Sequence, residues 1–349
     1  MNVSSDRTLG TYLTDLRAQA AAVRATVDAL PRVDTTPAWV EAMREPGARV
    51  VLTGMGASYH ALYPLHLGLV DMRVASTHVE TGELLHALPR LLDVADVVVA
   101  LSQSGGSGEV VRLCQRLPPG VRLVGVTNTD PSPLAQAARD RVLLRAGSEA
   151  TVSCKTYVAS LAALAWMEAV VGDSTCADDV TAELTAAAGV MGTYLGEFEA
   201  HVAAWQPRLE GVRNIFVAGR GGSLAAVGTG ALICKEAAGF PVEGMSCPAL
   251  RHGPFEMCGP ETLALVFEGA GPMAEANRRL VDDICRAGGS AELIGASAPL
   301  GPGRLPMVSE RCVPLVEILP LQMLSVALAA QAGREPGRFI RAAKVTTVE

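Results

Sequence analysis

Aromatic residues are scarce in this chain, and its positive charges are dispersed. Phe, Trp and Tyr make up 4% of the 349 residues, and the formal net charge is −7. Proteins that bind nucleic acids usually present clustered Lys and Arg, often with aromatic side chains on which bases stack. Because the sequence contains no such cluster, a nucleic-acid partner is not expected.

The eight cysteines and six histidines form no metal-binding pattern. No Cys-x-x-Cys pair occurs, and no histidine lies near a cysteine at the spacing of zinc sites. We interpret the cysteines as reduced thiols that mostly fill the core. Neither a metal nor another cofactor is expected.

Long apolar runs are also missing. No uninterrupted apolar stretch reaches the roughly eighteen residues that a bilayer span requires. The N-terminus, MNVSSDRTLGTYLTDLRAQ, mixes acidic and basic residues and lacks the apolar stretch of a secretory signal. These features predict a soluble, cytoplasmic protein with no membrane partner.

Short β-branched runs alternate with helical stretches along most of the chain. The first 45 residues have helical periodicity broken at Pro31 and Pro37, and another helical region runs from about 153 to 206. Continuous apolar runs are typical of parallel strands that helices cover on both faces. The candidate strands are VVLTG (50–54), DVVVALS (96–102), VRLVGVTN (121–128), RVLLRAG (141–147), NIFVAGR (214–220), TLALVFE (262–268), AELIGAS (291–297) and CVPLV (312–316).

The second group of strands repeats the first. VVLTGMGAS at 50–58 matches IFVAGRGGS at 215–223, and later strands keep a similar offset, with Val142 matching Val313. The pattern predicts an α/β fold of two doubly wound, flavodoxin-like parallel-sheet domains in tandem. The predicted segments are 1–45 (N-terminal helices), 46–175 (first domain), 176–205 (connecting helix), 206–335 (second domain) and 336–349 (C-terminal tail).

A polar loop follows the predicted strand at 96–102. Its sequence, SQSGGS, supplies hydroxyl and amide donors, glycines that permit close backbone approach, and the start of a helix near Ser107. In parallel sheets, ligands bind beyond the carboxyl ends of the strands, where helix N-termini favour anions. The loop suits a phosphate group, and the alternative is a plain turn in which Ser107 caps the helix. The candidate phosphate ligands are Ser102, Gln103, Ser104 and Ser107.

Two further serines occupy comparable places in the first half of the chain. Ser58 follows the strand at 50–54, and Ser153 precedes a helix. The corresponding second-half loop, EGAGP at 268–272, has no hydroxyl, which predicts one phosphate site rather than two. GMGASY at 54–59 lacks the third glycine of a dinucleotide-binding fingerprint, so NAD is not expected.

Polar residues concentrate again between 230 and 257. Lys235 and Glu236 lie near the end of a predicted helix, and His252 lies in a segment bracketed by Pro and Gly. Residue type alone favours simple interpretations, a solvated carboxylate for Glu236 and a backbone-bonded loop histidine for His252.

Five motifs and the C-terminal ending carry a family resemblance when they are taken together. They are SQSGGS (102–107), AGSEATVSCKTY (146–157), GALICKE (230–236), HGP (252–254), LPLQML (319–324) and the ending AAKVTTVE (342–349). In this order they resemble the sugar isomerase (SIS) family, in particular the isomerase half of glutamine:fructose-6-phosphate amidotransferase without its glutaminase domain. The resemblance runs from about residue 48 to the C-terminus.

The resemblance implies two SIS domains and a role for each matching residue. The glutamate of the KE motif moves a proton between C1 and C2 of the open-chain sugar, a role implied for Glu236. The lysine near the terminus forms a Schiff base with the C2 carbonyl, a role implied for Lys344. The histidine of HGP assists ring opening in the neighbouring subunit, which implies a homodimer that shares His252. The implied phosphate and substrate contacts are Ser58, Ser102, Gln103, Ser104, Ser107 and Ser153, with Gly56 and Lys235 as possible additions.

The chain departs from the amidotransferase pattern at several positions. Ile233 stands where those enzymes have a further lysine, Ala57 where they have threonine, and Gly106 and Ala249 where they have glutamate. The segment GRFIRAAK at 337–344 also differs around the lysine. The resemblance therefore implies a substrate pocket that is not the amidotransferase pocket unchanged.

The expected function follows from the part of the family pattern that is present. Without a glutaminase domain there is no local ammonia source, which favours the reverse reaction. We expect an aminosugar-6-phosphate deaminase/isomerase that converts a substrate such as glucosamine 6-phosphate to fructose 6-phosphate and ammonia. The alternatives are a fructosamine-6-phosphate deglycase, a phosphosugar aldose–ketose isomerase and a non-catalytic sugar-phosphate sensor.

Overall fold

The computed structural model describes residues 10–31, 36–341 and 343–346. Parts of the predicted N-terminal segment 1–45 lie outside the described residues, as do Ala342 and the last three residues of the ending AAKVTTVE.

Nine strands lie in the described part of the chain and form two separate, wholly parallel sheets. They are β1 (Arg49–Gly54), β2 (Ala75–Glu80), β3 (Val97–Leu101), β4 (Arg122–Thr127), β5 (Asp140–Leu143), β6 (Asn214–Gly219), β7 (Val242–Ser246), β8 (Thr262–Phe267) and β9 (Ser290–Ile294). The first sheet has the order β2-β1-β3-β4-β5, and the second has the order β7-β6-β8-β9.

Helices separate the strands along the chain, as parallel connections require. The described α-helices are α1 (Thr11–Arg17), α2 (Gln19–Ala29), α3 (Ala38–Arg44), α4 (Ala57–Ala61), α5 (Tyr63–Asp71), α6 (Thr81–His86), α7 (Arg90–Val94), α8 (Gly108–Arg116), α9 (Pro133–Ala137), α10 (Lys155–Gly172), α11 (Ala177–Gly196), α12 (Phe198–Trp205), α13 (Leu224–Ala238), α14 (Cys247–Arg251), α15 (Met273–Arg286) and α16 (Val313–Gln331).

The apolar runs form the buried centres of both sheets. All five residues of β3 are buried, and Val99 pairs with Leu52 of β1 on one side and Val124 of β4 on the other. All six residues of β8 are buried as well. The prediction of an α/β fold with parallel sheets is confirmed, while the division into two tandem domains with the stated bounds stays a prediction.

One predicted strand is wrong. CVPLV at 312–316 lies in a 3-10 turn, Glu310–Cys312, and the first residues of α16. The five residues 312–316 were misleading because they are the start of a longer apolar run, which forms a helix buried on all sides. Periodicity cannot distinguish such a helix from a buried strand. Proline in the first turn also suits a helix start. The match between Val142 and Val313 is therefore wrong too.

Two strands at sheet edges escaped the sequence analysis. β2 and β7 carry partly exposed residues with few consecutive apolar side chains. They continue the repeat, since β2 flanks β1 in one sheet as β7 flanks β6 in the other.

The helix α16 is the apolar centre of the second half. Sixteen of its residues are buried, and it packs against α13 and α12. In the described part of the chain, the helical stretch 310–331 is long and apolar enough to cross a membrane, but 94% of its most apolar window is buried inside the molecule. This burial is that of a core helix.

The N-terminal helices pack onto the rest of the molecule through a few buried polar contacts. Gln19 of α2 exchanges hydrogen bonds of 2.8 Å with Gln322 of α16. Asp15 of α1 pairs with Lys155 of α10 at 2.7 Å, and both side chains are 10% exposed. All eight cysteines, which fall within the described residues, are free thiols, and five of them are buried.

Candidate active site

A cavity of about 340 Å³ lies at the carboxyl ends of β1 and β3. It is where a doubly wound sheet places its ligand, because the loops there lead into helix N-termini. The cavity is closed on other sides by α13 and by the C-terminal segment. The lining residues that bear on function are Gly56, Ser58, Ser102, Gln103, Ser104, Ser107, Glu109, Thr151, Ser153, Ile233, Glu236 and Lys344.

The serines after β3 use their oxygens to hold the loop in shape. Ser102 Oγ accepts a hydrogen bond from the Gly105 amide at 3.1 Å, and Ser104 Oγ accepts one from the Gly106 amide at 3.2 Å. A hydroxyl that accepts from a backbone amide still has its own proton to donate. Each of the two serines therefore keeps a hydroxyl proton that it can donate.

Glycine at position 105 is required by the turn itself. Gly105 has a φ of 60°, and a Cβ there would lie 2.3 Å from Ser132 Oγ. The loop is also fastened to the next strand end, because the Gln103 carbonyl accepts hydrogen bonds from the Asn128 amide and the Thr129 hydroxyl at 3.2 Å each. The donors are thus held in place before any ligand arrives.

Ser107 is the N-cap residue of α8, but its side chain makes no capping hydrogen bond. The simple alternative, in which this serine serves only to cap the helix, loses its main support. The hydroxyl is available to a ligand. At the same helix end the Gly108 amide donates to the Thr346 carbonyl at 3.1 Å, so the C-terminal segment lies across the loop.

The loop after β1 approaches from the neighbouring strand. Gly56 has a φ of 54°, and the corresponding Gly221 after β6 has a φ of 55°, so this part of the sequence repeat is also a repeat in conformation. Ser58 follows in α4 and lines the cavity. Glycine at position 56 therefore shapes the turn that presents Ser58.

The segment before α10 contributes Ser153 and a buried carboxylate, Glu149. Ser153 Oγ lies 3.1 Å from Thr156 Oγ1. The Glu149 side chain is completely buried and accepts hydrogen bonds from the backbone amides of Cys154 at 2.9 Å and Thr156 at 3.1 Å. These bonds orient the carboxylate toward the C-terminal segment.

Lys344 forms an ion pair with Glu149, with 2.8 Å between Nζ and Oε2, and its side chain is 20% exposed. Burial by itself raises the pKa of Glu149, but the charge of Lys344 and the hydrogen bonds outweigh it, and the pKa lies below its ordinary value. The carboxylate is therefore ionised near neutral pH and fixes the position of the lysine.

Glu236 lies near the end of α13, half-buried in the cavity wall beside Leu232 and Ile233. Burial raises the pKa of Glu236; the positive charge of Lys344 opposes this effect, and the negative charge of Glu149 adds to it. A carboxyl group with a raised pKa is a stronger base than an ordinary glutamate and still returns the proton it has taken up. This is the property that an acid–base residue needs.

Two of the predicted site residues lie outside this cavity. Lys235 is exposed on α13. His252 follows α14 and is also exposed, in a segment where Gly253 has a φ of 130° and Met257 is 58% exposed. The structure therefore brings Glu236 and Lys344 together with the serines and leaves His252 at the surface.

Glu149 and Thr151 are site residues that the sequence analysis missed. Both belong to the motif AGSEATVSCKTY, which carries the family resemblance, but only Ser153 was assigned a role there. A single glutamate among small residues has no distinctive pattern, and its partner Lys344 is 195 positions away. The motif was the one signal that could have identified them.

In the second sheet, the side chains at the positions corresponding to Ser58 and Ser102 bond to other residues of the protein. Ser223, the counterpart of Ser58, is buried and donates to Glu317 of α16 at 2.7 Å. Glu268 follows β8 as Ser102 follows β3, and it accepts from the Arg278 guanidinium at 3.0 Å and the Ser297 amide at 2.9 Å. A built-in carboxylate thus stands where the first sheet presents hydroxyls, which supports the prediction of one phosphate site.

No group of three or more His, Cys, Asp and Glu side chains within residues 10–31, 36–341 and 343–346 is placed to hold a metal ion.

Known proteins that carry sugar isomerase domains are similar to this chain in sequence. Residues 43–167 match the SIS domain family model. Glutamine–fructose-6-phosphate aminotransferase (isomerizing) of Pyrococcus horikoshii is 29% identical over 319 residues, which cover 86% of this chain and 52% of that protein. The chain therefore spans about half the length of the curated relatives that it matches.

Solved structures show the same fold. The C-terminal domain of glucosamine-fructose-6-phosphate aminotransferase from Francisella tularensis aligns with a TM-score of 0.83 and 19% identity, covering 96% of this chain and all of that one. Glucosamine-6-phosphate deaminase from Thermotoga maritima aligns with a TM-score of 0.75 and 16% identity, covering 97% and 100%. The resemblance inferred from the motifs is confirmed: this chain carries a SIS domain over residues 43–167.

Proposed function

We propose that this chain is an enzyme that isomerises a phosphorylated sugar, and that its substrate is an aminosugar 6-phosphate. The observation that carries the proposal is that one cavity brings together the serine loop, Glu236 and Lys344. An anion site, an acid–base carboxyl group and an amine are the groups that isomerisation and deamination of such a sugar require.

The phosphate group binds at the loop 102–107. The hydroxyls of Ser102, Ser104 and Ser107 donate to it, and the start of α8 adds a favourable dipole. Ser58 and Ser153 complete the substrate contacts, with Gly56 allowing close approach. Because the loop is held by its own hydrogen bonds, little ordering is needed on binding.

Glu236 transfers the proton that interconverts aldose and ketose. In the open-chain aminosugar, the Glu236 carboxylate takes the proton from C2 and returns it to C1, while a second proton passes from the amine to the C1 oxygen. The C1 aldehyde thereby becomes a hydroxymethyl group and C2 becomes an imine. Water then adds to the imine and ammonia leaves, giving the ketose phosphate. The raised pKa of Glu236 suits a group that must gain and lose the same proton.

Lys344 provides a route for the release of ammonia. Its amine can displace ammonia from the C2 imine, and water then hydrolyses the new imine to regenerate the lysine. The lysine must first lose its proton, and the nearest acceptor is the Glu149 carboxylate at 2.8 Å.

His252 acts in this proposal from a second copy of the chain. It is exposed and lies outside the cavity of its own chain. A homodimer in which the segment around His252 enters the neighbouring site would supply an imidazole that can assist ring opening near neutral pH.

The test is an assay with glucosamine 6-phosphate that measures ammonia and ketose phosphate together. We expect equal amounts of both, and we expect Glu236→Gln to lose turnover by about 10²-fold or more while still binding substrate, because acid–base catalysis contributes at that level. Unchanged turnover in this variant would refute the role of Glu236.

The same assay separates the alternatives. Interconversion of hexose phosphates without ammonia would identify a plain aldose–ketose isomerase. Release of an amine other than ammonia from a fructosamine 6-phosphate would identify a deglycase. Binding of these compounds without turnover would identify a sensor.

A further inference from the structure

The imidazole ring of His60 lies against Gly228, where the helix α4 packs on the helix α13. A Cβ at Gly228 would lie 2.3 Å from Nδ1 of His60, 2.4 Å from Cε1 and 2.6 Å from Cγ. Non-bonded heavy atoms prefer separations of about 3.5–4.0 Å. Because Cγ is the ring atom attached to the His60 Cβ, turning the ring about χ2 would not relieve this overlap. The lack of a side chain at position 228 therefore lets α13 approach the ring closely.

The face of α13 that meets α4 continues to the cavity. Residues four apart on a helix lie on one face, and Gly228, Leu232 and Glu236 have this spacing. The Leu232 Cδ2 atom would lie 3.4 Å from a Cβ at Gly56, in the loop before α4. One turn further on, Glu236 lines the cavity together with Ser58. The face that carries Glu236 is thus also the face that packs on α4 and its preceding loop.

The two helices carry two different parts of the proposed chemistry. Ser58 of α4 contributes a substrate contact, and Glu236 of α13 transfers the proton. The first helix follows β1 of the first sheet and the second follows β6 of the second sheet. Because the two helices are far apart along the chain, only packing can fix their separation. His60 belongs to the same short helix as Ser58, so its contact with Gly228 acts on the distance between Ser58 and Glu236.

We propose that His60 is a positioning residue, whose contact with Gly228 sets the distance between the substrate-binding serine of α4 and the Glu236 carboxyl group. This inference rests on the proposed function, because that function assigns the proton transfer to Glu236. Among the described residues, His60 is not part of the cavity lining. It therefore acts on the reaction through α13.

His60 is neutral in this contact at neutral pH. Burial, followed by the charges of His78 and Lys235, lowers the pKa of His60 to about 4. A neutral ring packs against a helix backbone without the desolvation cost of a buried charge. The contact is therefore one of shape, which a change of side-chain volume tests directly.

The first test fills the space beneath the ring. The methyl group of Gly228→Ala would overlap the His60 ring, and a shift of α13 by about 1 Å relieves the overlap. We expect kcat for glucosamine 6-phosphate to fall by about tenfold to 100-fold, because a displacement of this size at a reacting group can cost that much. The affinity for inorganic phosphate, measured by calorimetry, should not change, because the loop 102–107 is held by its own hydrogen bonds.

Removing the ring distinguishes positioning from a general loss of packing. His60→Ala leaves space for the added methyl group, so Gly228→Ala should have little further effect on kcat in that background. An equal fold-loss in both backgrounds would overturn the inference, as would a wild-type kcat in G228A. The matched control is Gly196→Ala at the end of α11, where an added Cβ would meet nothing within 4 Å. This control should keep the wild-type kcat.

His60→Ala alone carries the test if Gly228→Ala does not fold, because it only removes atoms. Without the ring, α13 is no longer held at its distance from α4. We expect kcat to fall by about tenfold with unchanged affinity for inorganic phosphate. A wild-type kcat in H60A would overturn the inference.

Crystal structures of the wild-type protein and of Gly228→Ala separate this inference from the proposed function. We expect Glu236 to lie about 1 Å farther from Ser58 in the variant. An unmoved α13 would overturn the inference, whatever the substrate is. If the wild-type protein turns over no sugar phosphate, the proposed function fails, and a displaced α13 would still support the positioning of Glu236 by His60.

Discussion

The ion pair between Glu149 and Lys344 constrains any chemistry at the lysine. The pair holds Lys344 Nζ 2.8 Å from Glu149 Oε2, whereas imine formation requires the free amine. Because Glu149 is fixed by the backbone amides of Cys154 and Thr156, it can receive the lysine proton without moving. Glu149 is therefore a positioning residue whose action passes through Lys344.

Replacing Glu149 with Gln should separate catalysis from binding. The amide keeps an oxygen for the two backbone donors but loses the charge that holds Lys344. We expect kcat for ammonia release to fall by about 10²-fold, because a displacement of about 1 Å at a reacting group can cost that much. The KM for glucosamine 6-phosphate should change little, and steady-state kinetics would show this split.

The pH profile of the same variant provides an independent readout. The negative charge of Glu149 raises the pKa of Glu236, so removing that charge should lower the pKa and move the acidic limb of kcat to lower pH. A limb that stays in place, or a kcat equal to that of the wild type, would contradict the role assigned to Glu149.

Residues at strand ends were predictable, while their partners were not. Ser58, Ser102, Gln103, Ser104 and Ser107 follow apolar runs directly, and the carboxyl ends of parallel strands share one edge of a sheet. Glu149 gave no such signal, because its importance depends on a lysine 195 positions away. Proximity of that kind arises only when the chain is folded.

At the scale of elements, α16 carries a buried acid that makes stability depend on pH. Glu317 is 1% exposed, accepts a bond from Ser223 at 2.7 Å, and has a second oxygen without a partner in the described part of the chain. Burial raises the pKa of Glu317 to about 8. The carboxyl group is therefore protonated in the folded protein at neutral pH.

The sign of the stability effect follows from this raised pKa. Between the ordinary glutamate value and about 8, the folded state holds a proton that the unfolded state has released. The free energy of unfolding should therefore fall as pH rises through this range, by up to about 1.4 kcal/mol per pH unit, and then level off.

Glu317→Gln should remove this contribution, because the amide does not ionise. Denaturant unfolding between pH 5 and pH 9 should show a variant whose advantage over the wild type grows with pH up to about 8. Replacing the exposed Glu310 with Gln is the matched control and should preserve the wild-type slope. Parallel curves for E317Q and the wild type would contradict the assignment.

Strands could be predicted where a continuous apolar run in the sequence corresponds to burial on both faces of the sheet. The strands at both sheet centres were recognised because burial on both faces gives continuous apolar runs. The same rule failed for α16, since a helix buried on every side also gives a continuous apolar run. The strands β2 and β7 were not predicted, because their exposed residues interrupt the apolar pattern.

At the scale of the whole molecule, the two sheets have similar strand orders. Among the described residues, only the first sheet has a cavity lined by serine hydroxyls at its carboxyl edge. The first sheet presents hydroxyls at its carboxyl edge, whereas the second closes its edge with Glu268 and Glu317. Burial and the bonds from Ser297 and Arg278 act on Glu268 in opposite directions, and its pKa lies below the ordinary value. An ionised carboxylate there excludes a second anion by like charge.

The proposed sharing of His252 between two copies predicts complementation. Neither Glu236→Gln nor His252→Asn homodimers should turn over substrate at the wild-type rate. Random re-association of the two variants should restore about a quarter of wild-type activity, because half of the dimers are mixed and each mixed dimer contains one intact site. The measurement is activity after unfolding and refolding the two variants together.

The control for this experiment is a mixture of Glu236→Gln with Lys344→Met. Both changes lie in the cavity of the same chain, so each of the two sites in a mixed dimer carries one of the changes, and no activity should be recovered. No recovery in the first mixture would mean that His252 serves its own chain.

The amino-acid sequence by itself determined the parallel strands, the polar loop after β3 and the resemblance to the SIS family, because each depends on residues that are close together along the chain. Only the tertiary structure decided that Lys344 meets Glu149, and that the acidic side chains of Glu268 and Glu317 bond to other residues of the second sheet's surroundings. The reason is physical. Local patterns set which elements form, whereas packing of distant segments decides which polar groups are paired and which are left for a ligand.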